Sequence, residues 1–539
     1  MIVDPPRPSA LWTPGPSLLR PIPESSPAEG RTVPIGRTAL SRPIEVSVAG
    51  DPRSRLRLLV LAGQHGDEAR GRVAARRWWT EPDRLEPVDG TGLERAVLVD
   101  ANPDGSAGRT RTNAAGIDLN RDHRALRAPE TQAIHRFIRE FRPHLVVDVH
   151  NYPARRRILL DRGWTIDEYV RLAGPTHPAV RTALSSEETE DLFRSVTSDL
   201  RVRGYSSSPY LLYRRTGRLR PSTVGTRDAR NAIALRYGVP TVLLEGRDPG
   251  RDGTADDFER TVAAQLEALR AIERWILTHR RPLLRGPPIP EVGEPVPVRG
   301  SWVDEGMGLT VSLRNLGTGR AEPVSWAAYA GTLRVRRSVP LPRAYAVRPD
   351  SRTRLEWLRR HDFEGEVVPY SRVARVEPVA SGVAAHPTPS PSPSGTAPPF
   401  PVARDLEGYV VYSTLQRGGR ALAVWCERQA FPSVRSEDAA PEDGVPGDVW
   451  RVLSWEDPLP RSVRGFLVGM SPGTDLGGAV APSPSPRVGP SAFPGTLPVP
   501  EATDPTGRRD TVPQARLIRP RTAPPTGRGD LAVDAPRAK

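Results

Sequence analysis

The sequence is poor in three things, and each shortage excludes something. One cysteine, Cys426, among 539 residues rules out an intramolecular disulfide and any cysteine-built metal cluster. No run is long and apolar enough to span a bilayer, so no membrane span is expected. Lysine is all but missing: Lys539 is the only one, and arginine carries the formal net charge of +14. Those arginines are spread among aspartates and glutamates instead of gathering in one block, so no nucleic-acid partner is expected. The start, Met1-Ile2-Val3-Asp4-Pro5-Pro6, lacks the charged head and continuous apolar core of a secretory signal. As written the chain is expected in the cytoplasm, and outside the cell only if the true start lies upstream.

Proline is abundant, and its distribution divides the chain. The 61 prolines concentrate in both termini and near residue 390. Residues 1–33 read as a disordered leader, and 472–539, rich in Pro, Gly, Ser and Arg without apolar periodicity, read as a disordered tail. Between 34 and 282, strand-like runs alternate with helical patterns, which predicts an α/β domain with a mixed, mostly parallel sheet flanked by helices. Pro43–Val48 alternates as an edge strand would, whereas Leu56–Ala62 is more continuously apolar, as a central strand buried on both faces requires. From 290 to 470 short strand candidates separated by Gly, Pro and Asn predict a smaller β-rich region, interrupted by a Pro/Ser linker at 381–402. Nothing in the pattern specifies an oligomeric state.

Three strands of the first region end on polar residues. Leu58–Ala62 runs into Gly63-Gln64-His65-Gly66-Asp67-Glu68, Leu145–Val149 delivers His150, and Pro240–Leu244 ends on Glu245. In open α/β sheets the carboxyl ends of strands line the binding crevice, so residues this far apart in sequence can converge. Two imidazoles and a carboxylate form a catalytic zinc set with a fourth position open, and a second, unbound carboxylate suits a general base. Taken singly, each has a plainer reading: a hydrogen-bonded structural histidine, or a glutamate paired with an arginine. The loop Asn113–Arg121 adds an amide and a guanidinium side by side at Asn120 and Arg121, suited to gripping a carboxylate, with Arg111 upstream. Asn102-Pro103-Asp104-Gly105 reads as a turn.

Together these motifs resemble the carboxypeptidase A-like zinc metallopeptidases. The matches run in order through Ile35–Thr38, Arg42–Ile44, Gly63–Glu68, Asn102–Gly105, Asn113–Arg121, Asp148-Val149-His150 and Val242–Glu245, covering residues 33–280. The resemblance implies one zinc ion held by His65, Glu68 and His150. It implies a peptide substrate whose free C-terminal carboxylate is bound by Asn120 and Arg121. Arg111 would polarise the scissile carbonyl, and Glu245 would be the general base; Asp148, two residues before His150, stands either behind the ligand or, as the preferred reading, as a structural residue. The interval between Glu68 and His150 is shorter than in the digestive members, so loops that shape their pocket are missing. The tyrosine that covers their substrate has three candidates here, Tyr205, Tyr210 and Tyr213. Arg230, fifteen positions before Glu245, falls where the family places the base of its specificity pocket and implies a preference for an acidic C-terminal residue; the plainer reading is an arginine bracing its helix.

Two other functions fit parts of the pattern. A zinc amide hydrolase of the acylase type, acting on N-acyl amino acids, shares His-x-x-Glu, Asn-Arg and a later histidine. A non-catalytic binding or scaffold protein would be either a dead enzyme, against which the full set of implied ligands and base argues, or a basic scaffold acting through its tails, and the long tail leaves an added interaction role open.

Overall fold

The computed structural model describes residues 30–81, 92–250, 253–379, 401–427 and 449–456. The leader before residue 30, the linker from 380 to 400 and the tail after 472 fall outside the described residues.

The first part of the chain gives β1 (Arg31–Arg37), β2 (Pro43–Ala49), β3 (Leu56–Ala62), α1 (Ala69–Thr80), β4 (Leu93–Leu98), α2 (Pro103–Gly108), α3 (Pro129–Phe141) and β5 (Leu145–Pro153). After these come α4 (Arg157–Leu160), β6 (Trp164–Ile166), β7 (Val170–Ala173), α5 (Ser186–Val202), β8 (Ser207–Pro209), β9 (Leu211–Tyr213), β10 (Leu219–Pro221), α6 (Ala229–Tyr237), β11 (Thr241–Asp248), α7 (Ala255–Thr278) and α8 (Arg280–Arg285). Eight strands form one mixed sheet in the order β1-β2-β4-β3-β5-β11-β7-β8. Pairings β3–β4, β3–β5, β5–β11 and β7–β8 are parallel, so the central part has the character expected.

Apart from Arg57, which pairs with Glu94 at 2.9 Å, β3 is apolar because both its faces are covered. Leu56, Leu58 and Val60 pack with Trp78 of α1, Leu192 and Val196 of α5 and Leu269 and Ile272 of α7. Leu59 and Leu61 pack on the other face with Ile134 and Phe137 of α3 and Ile233 of α6. The covering helices are locally well specified: Ser185 with Glu188 and Thr254 with Asp257 form capping boxes at the starts of α5 and α7, satisfying N–H groups that each first turn leaves open.

Three local expectations change. β2 is not an edge strand: it pairs with β1 on one side and β4 on the other, and it alternates because one of its faces stays partly exposed. β1 begins at Arg31, inside the stretch read as leader, because Val33 is buried opposite Val46. Asn102–Gly105 is not a turn but the start of α2. Asn102 Oδ1 accepts from the Gly105 N–H at 2.9 Å, and Pro103 sits where a first helical residue needs no N–H partner.

The later part of the chain adds β12 (Pro295–Val303), β13 (Leu309–Asn315), β14 (Ala321–Trp326), β15 (Thr332–Pro340), β16 (Ala344–Val347), α9 (Arg352–Arg360), β17 (Gly365–Val367), β18 (Val373–Pro378), β19 (Val402–Asp405), β20 (Val410–Ser413), α10 (Gly419–Cys426) and β21 (Val449–Trp455). It is β-rich, with a six-stranded sheet in the order β17-β20-β16-β21-β18-β19. One of its cores, around Ala346, Val376 and Val452, is its own. Two others are shared with the first part. Leu313 of β13 pairs with Ile166 of β6, and both pack with Tyr152 and Tyr213. Trp357, Leu358 and Trp425 pack with Ala179 and Leu235. No described helix is long and apolar enough to cross a membrane.

Candidate metal centre

The register of the sheet brings the chemistry together. His150 on β5 lies directly beside Glu245 on β11, and Ala62, the last residue of β3, lies beside Val149. His65 and Glu68 follow on the loop between β3 and α1. That loop is held from below by Asn102, whose Nδ2 donates to the Gln64 carbonyl at 3.3 Å. Gly66 packs so closely on α2 that a Cβ there would lie 2.0 Å from the Gly105 carbonyl carbon, so no side chain fits.

His65, Glu68 and His150 each offer one donor atom, all within 4.8 Å of one another. His65 Nδ1 lies 2.7 Å from Glu68 Oε1, His150 Nδ1 lies 3.0 Å from Glu68 Oε2, and the two Nδ1 atoms are 3.1 Å apart. Ligand atoms about 2.0–2.1 Å from one tetrahedral zinc ion would stand roughly 3.3 Å apart, so the spacing is close to that of a coordination shell. The far side of each ring points the same way: His65 Nε2 is 3.1 Å from Asp118 Oδ1, and His150 Nε2 is 2.9 Å from Asp148 Oδ1. A carboxylate behind each imidazole favours Nε2–H and leaves the Nδ1 lone pair facing the common centre, which is how metal-binding histidines are held. Two such lone pairs and a carboxylate converging on one point suit a cation. Asp118 and Asp148 thus stand directly behind the two imidazoles; of the two readings the sequence leaves for Asp148, behind the ligand or structural, the 2.9 Å contact favours the first.

The electrostatics agree. Burial by itself would raise the Glu68 carboxyl, but His150 and His65 beside it hold it far below the usual carboxylate range. Burial likewise opposes the downward shift of Asp118, which its hydrogen bond from His65 and the charge of Arg111 outweigh. Glu245 goes the other way: burial pushes its carboxyl up to about 7, with His150 opposing and Glu68 adding to the rise. Its Oε2 is buried without a hydrogen-bond partner among the described residues. A carboxylate of that kind, kept apart from the three ligands yet beside them, is poised to exchange a proton.

The arginines are arranged unequally. Arg111 stands at the rim of the centre, donating to Asp118 Oδ2 at 3.0 Å and reaching Glu68 Oε1 at 3.5 Å. Asn113 shapes the loop above: its Oδ1 accepts from the N–H groups of Ala115 and Ile117, and its Nδ2 donates to Glu130. Asn120 is engaged within the protein, its Oδ1 accepting from Ala229 N at 2.9 Å and its Nδ2 lying 2.9 Å from His150 Nε2. Arg121 is exposed and bonds the Asn120 carbonyl at 2.6 Å. Arg230 is buried in α6, with one amino group 2.8 Å from Ser222 Oγ and 3.4 Å from Thr176 Oγ1. Its Nε and Nη1 have no hydrogen-bond partner among the described residues, and Asp228 stands 3.8 Å away.

Of the three tyrosines, Tyr205 stacks edge-on against Tyr169 and Tyr213 against Trp326, whereas Tyr210 feels the charges of Glu245, Arg156, Arg230 and Arg121. Tyr210, Thr176 and Ser222 also line a cleft of about 1210 Å³, walled in addition by Trp302 of β12. Trp302 donates to the Ser222 carbonyl at 2.6 Å, so the later part of the chain contributes a wall that no local motif announced. The ligand residues themselves lie outside that lining.

The site is thus a His–Glu–His centre at the carboxyl edge of a mixed sheet, with a separate buried carboxylate. Residues 54–161 match the succinylglutamate desuccinylase/aspartoacylase catalytic domain. Carboxypeptidase 2 of Trichophyton rubrum is 27% identical over 263 residues, 45% of this chain and 46% of that protein. A probable carboxypeptidase 2 of Arthroderma benhamiae is 31% identical over 137 residues, 24% of each chain. Among solved structures, a metallo-carboxypeptidase from Burkholderia cenocepacia is 21% identical with a TM-score of 0.36, covering 46% of this chain and 65% of that one. The chain spans less than half the length of these curated relatives. The matching domain and relatives support the zinc carboxypeptidase-like family that the motifs resemble.

Proposed function

We propose that this chain is a zinc-dependent metallocarboxypeptidase that hydrolyses the C-terminal peptide bond of peptides. The observation that carries the reading is the His65–Glu68–His150 donor set, each imidazole backed by a carboxylate, with the Glu245 carboxylate beside it, whose Oε2 has no hydrogen-bond partner among the described residues. A zinc ion held there would supply Lewis-acid polarisation of a carbonyl and a water made acidic enough to attack near neutrality. Glu245 takes the proton of the attacking water and returns it to the departing amine, a role its raised affinity for a proton favours. Arg111, at the rim, supplies positive charge where the carbonyl oxygen becomes negative. Arg121, exposed beside the centre, grips the terminal carboxylate; Asn120 joins it once its amide leaves His150. Tyr210 is the tyrosine that closes over the substrate.

Arg230 sets side-chain choice in the same reading. Its two unpartnered nitrogens favour an acidic terminal residue, and Asp228 weakens that preference without cancelling it. Peptides differing only in their last residue test it, and equal cleavage of Leu-, Lys- and Glu-terminated substrates would sink the preference.

One observation favours a second reading, a deacylase acting on N-acyl amino acids. The desuccinylase/aspartoacylase match spans His65, Glu68, Asn120, Arg121 and His150 but ends at residue 161, before Glu245 and Arg230. The decisive experiment offers short peptides and N-acyl amino acids side by side, with and without chelator, to the wild-type chain and Glu245→Gln. Chelator-sensitive release of the last residue from peptides supports the first reading; hydrolysis confined to N-acyl amino acids replaces it with the second.

A further inference from the structure

Three histidines outside the metal centre, His123, His135 and His361, are wholly buried. Two of them form a hydrogen-bonded line that ends at the centre. From Asp148, Gln64 Nε2 lies 2.7 Å away, Gln64 Oε1 lies 2.6 Å from His123 Nε2, His123 Nδ1 lies 3.0 Å from His135 Nε2, and His135 Nδ1 lies 2.8 Å from the Tyr237 hydroxyl. The Arg139 guanidinium acts electrostatically on the Tyr237 hydroxyl, and its Nε is 3.1 Å from Asp362 Oδ2 just beyond α9.

The proton positions along this line follow from its two ends. At the inner end the Asp148 carboxylate only accepts, so Gln64 Nε2 donates to it and Gln64 Oε1 accepts from His123; at the outer end this leaves the Tyr237 O–H to donate to His135 Nδ1. With Nδ1 accepting, a neutral His135 carries its proton on Nε2 and donates to His123 Nδ1. His123 then carries its proton on Nε2 and donates to Gln64 Oε1, which turns the Gln64 amide nitrogen toward Asp148. Burial keeps both rings neutral, His123 at about 4 and His135 well below the ordinary imidazole value. The opposite sense of the line is a self-consistent alternative only if Tyr237 accepts from His135 and the Gln64 carbonyl faces the Asp148 carboxylate, which costs a buried repulsion.

The outcome matters at His150. Its Nε2 is contested: Asp148 at 2.9 Å calls for a proton on that nitrogen, while the Asn120 amide nitrogen, also at 2.9 Å, calls for a bare one. A proton on Nε2 leaves Nδ1 free for a metal; a bare Nε2 puts the proton on Nδ1 and closes the site.

We infer that Arg139, Tyr237, His135, His123 and Gln64 form a positioning relay that orients Asp148 and thereby keeps the His150 Nδ1 lone pair available to the metal, with Asp362 of the β-rich region anchoring its outer end. The inference deepens the proposed metal centre and rests on His150 being a ligand. It gives the later part of the chain a task at the site that packing alone does not.

Tyr237→Phe deletes the outermost hydroxyl of the line while preserving the ring. Asp362→Ala cuts the outer anchor at a partly exposed position. The full-length chain, labelled with 15N at its histidines, is read by long-range proton–nitrogen correlation in zinc-free and zinc-loaded forms, and zinc affinity is measured by competition with a chromogenic chelator. The relay predicts Nε2–H at both His123 and His135 in the wild-type chain with or without zinc. It also predicts a roughly 10-fold or greater loss of zinc affinity in Tyr237→Phe, with changed His123 and His150 signals, and a smaller loss of the same sign in Asp362→Ala. A proton on Nδ1 of His123 in the wild-type chain overturns the relay, as does a folded Tyr237→Phe with unchanged affinity and imidazole signals. Failure of the wild-type chain to bind zinc at all overturns the proposed function instead, because the His123 and His135 protons are read without the metal.

Discussion

The carboxyl edge of the eight-stranded sheet and the β-rich part beyond residue 294 solve opposite problems. At the sheet edge, polar groups are buried in quantity: His65, Asp148, His150, Asn151 and Glu245 all lie inside, and most are held by partners far away in sequence. In the β-rich part the buried residues are mainly apolar, as in the cluster of Tyr345, Val347, Trp357, Leu358 and Trp425. A buried polar group is tolerated only where partners satisfy it, so the first region needs particular residues at particular positions. Apolar packing accepts many combinations of similar volume. The first region therefore announces its chemistry in short motifs, and the second leaves only a weak alternation of strands.

Substitutions can sharpen or break that contrast. Glu245→Gln keeps the shape of the site but removes its free carboxylate, and turnover is expected to fall by about 10²–10⁴, with zinc retained; steady-state kinetics beside metal analysis reads both. Near-normal turnover in a zinc-loaded variant would refute the base assignment.

In the β-rich part, Trp425→Ala empties a buried site next to Trp357 and leaves Thr226 without its indole partner. It should cost about 3–5 kcal/mol of stability, measured by denaturant unfolding. Chain that remains folded should retain its zinc; a folded variant that has lost the metal would show the contrast between the regions to be false.

Asp118→Asn tests the polar rule from the ligand side. Replacing the carboxylate behind His65 should weaken zinc binding roughly 10–100-fold without lowering the melting temperature by more than a few degrees. A chelator competition that finds no change would remove Asp118 from the site.

A smaller effect concerns pH. Burial holds His361 at about 3, with its bond to the Arg124 carbonyl opposing, and it holds His177 at about 3 with Arg124 adding. Both values are depressed below that of an unfolded histidine, so the unfolded chain binds more protons than the folded one once pH drops below about 6.5. Stability contributed by these neutral rings is whole above that pH and is lost on acidification toward 3, each ring costing up to about 1.4 kcal/mol per pH unit. Melting curves between pH 7 and mildly acidic values should fall steadily, and His361→Asn should flatten the slope; an unchanged slope would contradict the assignment. The smallest effect is expected from Ser185→Ala, which opens the capping box of α5 and should cost about 1 kcal/mol with turnover unchanged.

How much was legible follows the same division. Leu58–Glu68, Asp148–His150 and Val242–Glu245 could be read because a strand end, a polar residue and a fixed spacing lie within a few positions of each other. The capping boxes at Ser185 and Thr254 are equally local. Spacing leaves Tyr205, Tyr210 and Tyr213 equivalent, since only the tertiary structure sets Tyr210 in the cleft with Thr176 and Ser222 and the other two against Tyr169 and Trp326. β2 alternates as an edge strand does although it is paired on both sides, because a strand with one partly exposed face alternates wherever it sits in the sheet.

What the sequence determined by itself is the set of candidate ligands and the largely apolar strands that carry them, because composition and short-range pattern are enough to specify a strand end and the candidate ligand type. Only the tertiary structure decided which groups stand behind the ligands. Asp118 behind His65, the line from Tyr237 to Asp148, and Trp302 at the wall of the cleft bring together residues tens to hundreds of positions apart. Their pairing comes from sheet register and from the later strands packing on the first region, and neither leaves a periodic trace along the chain.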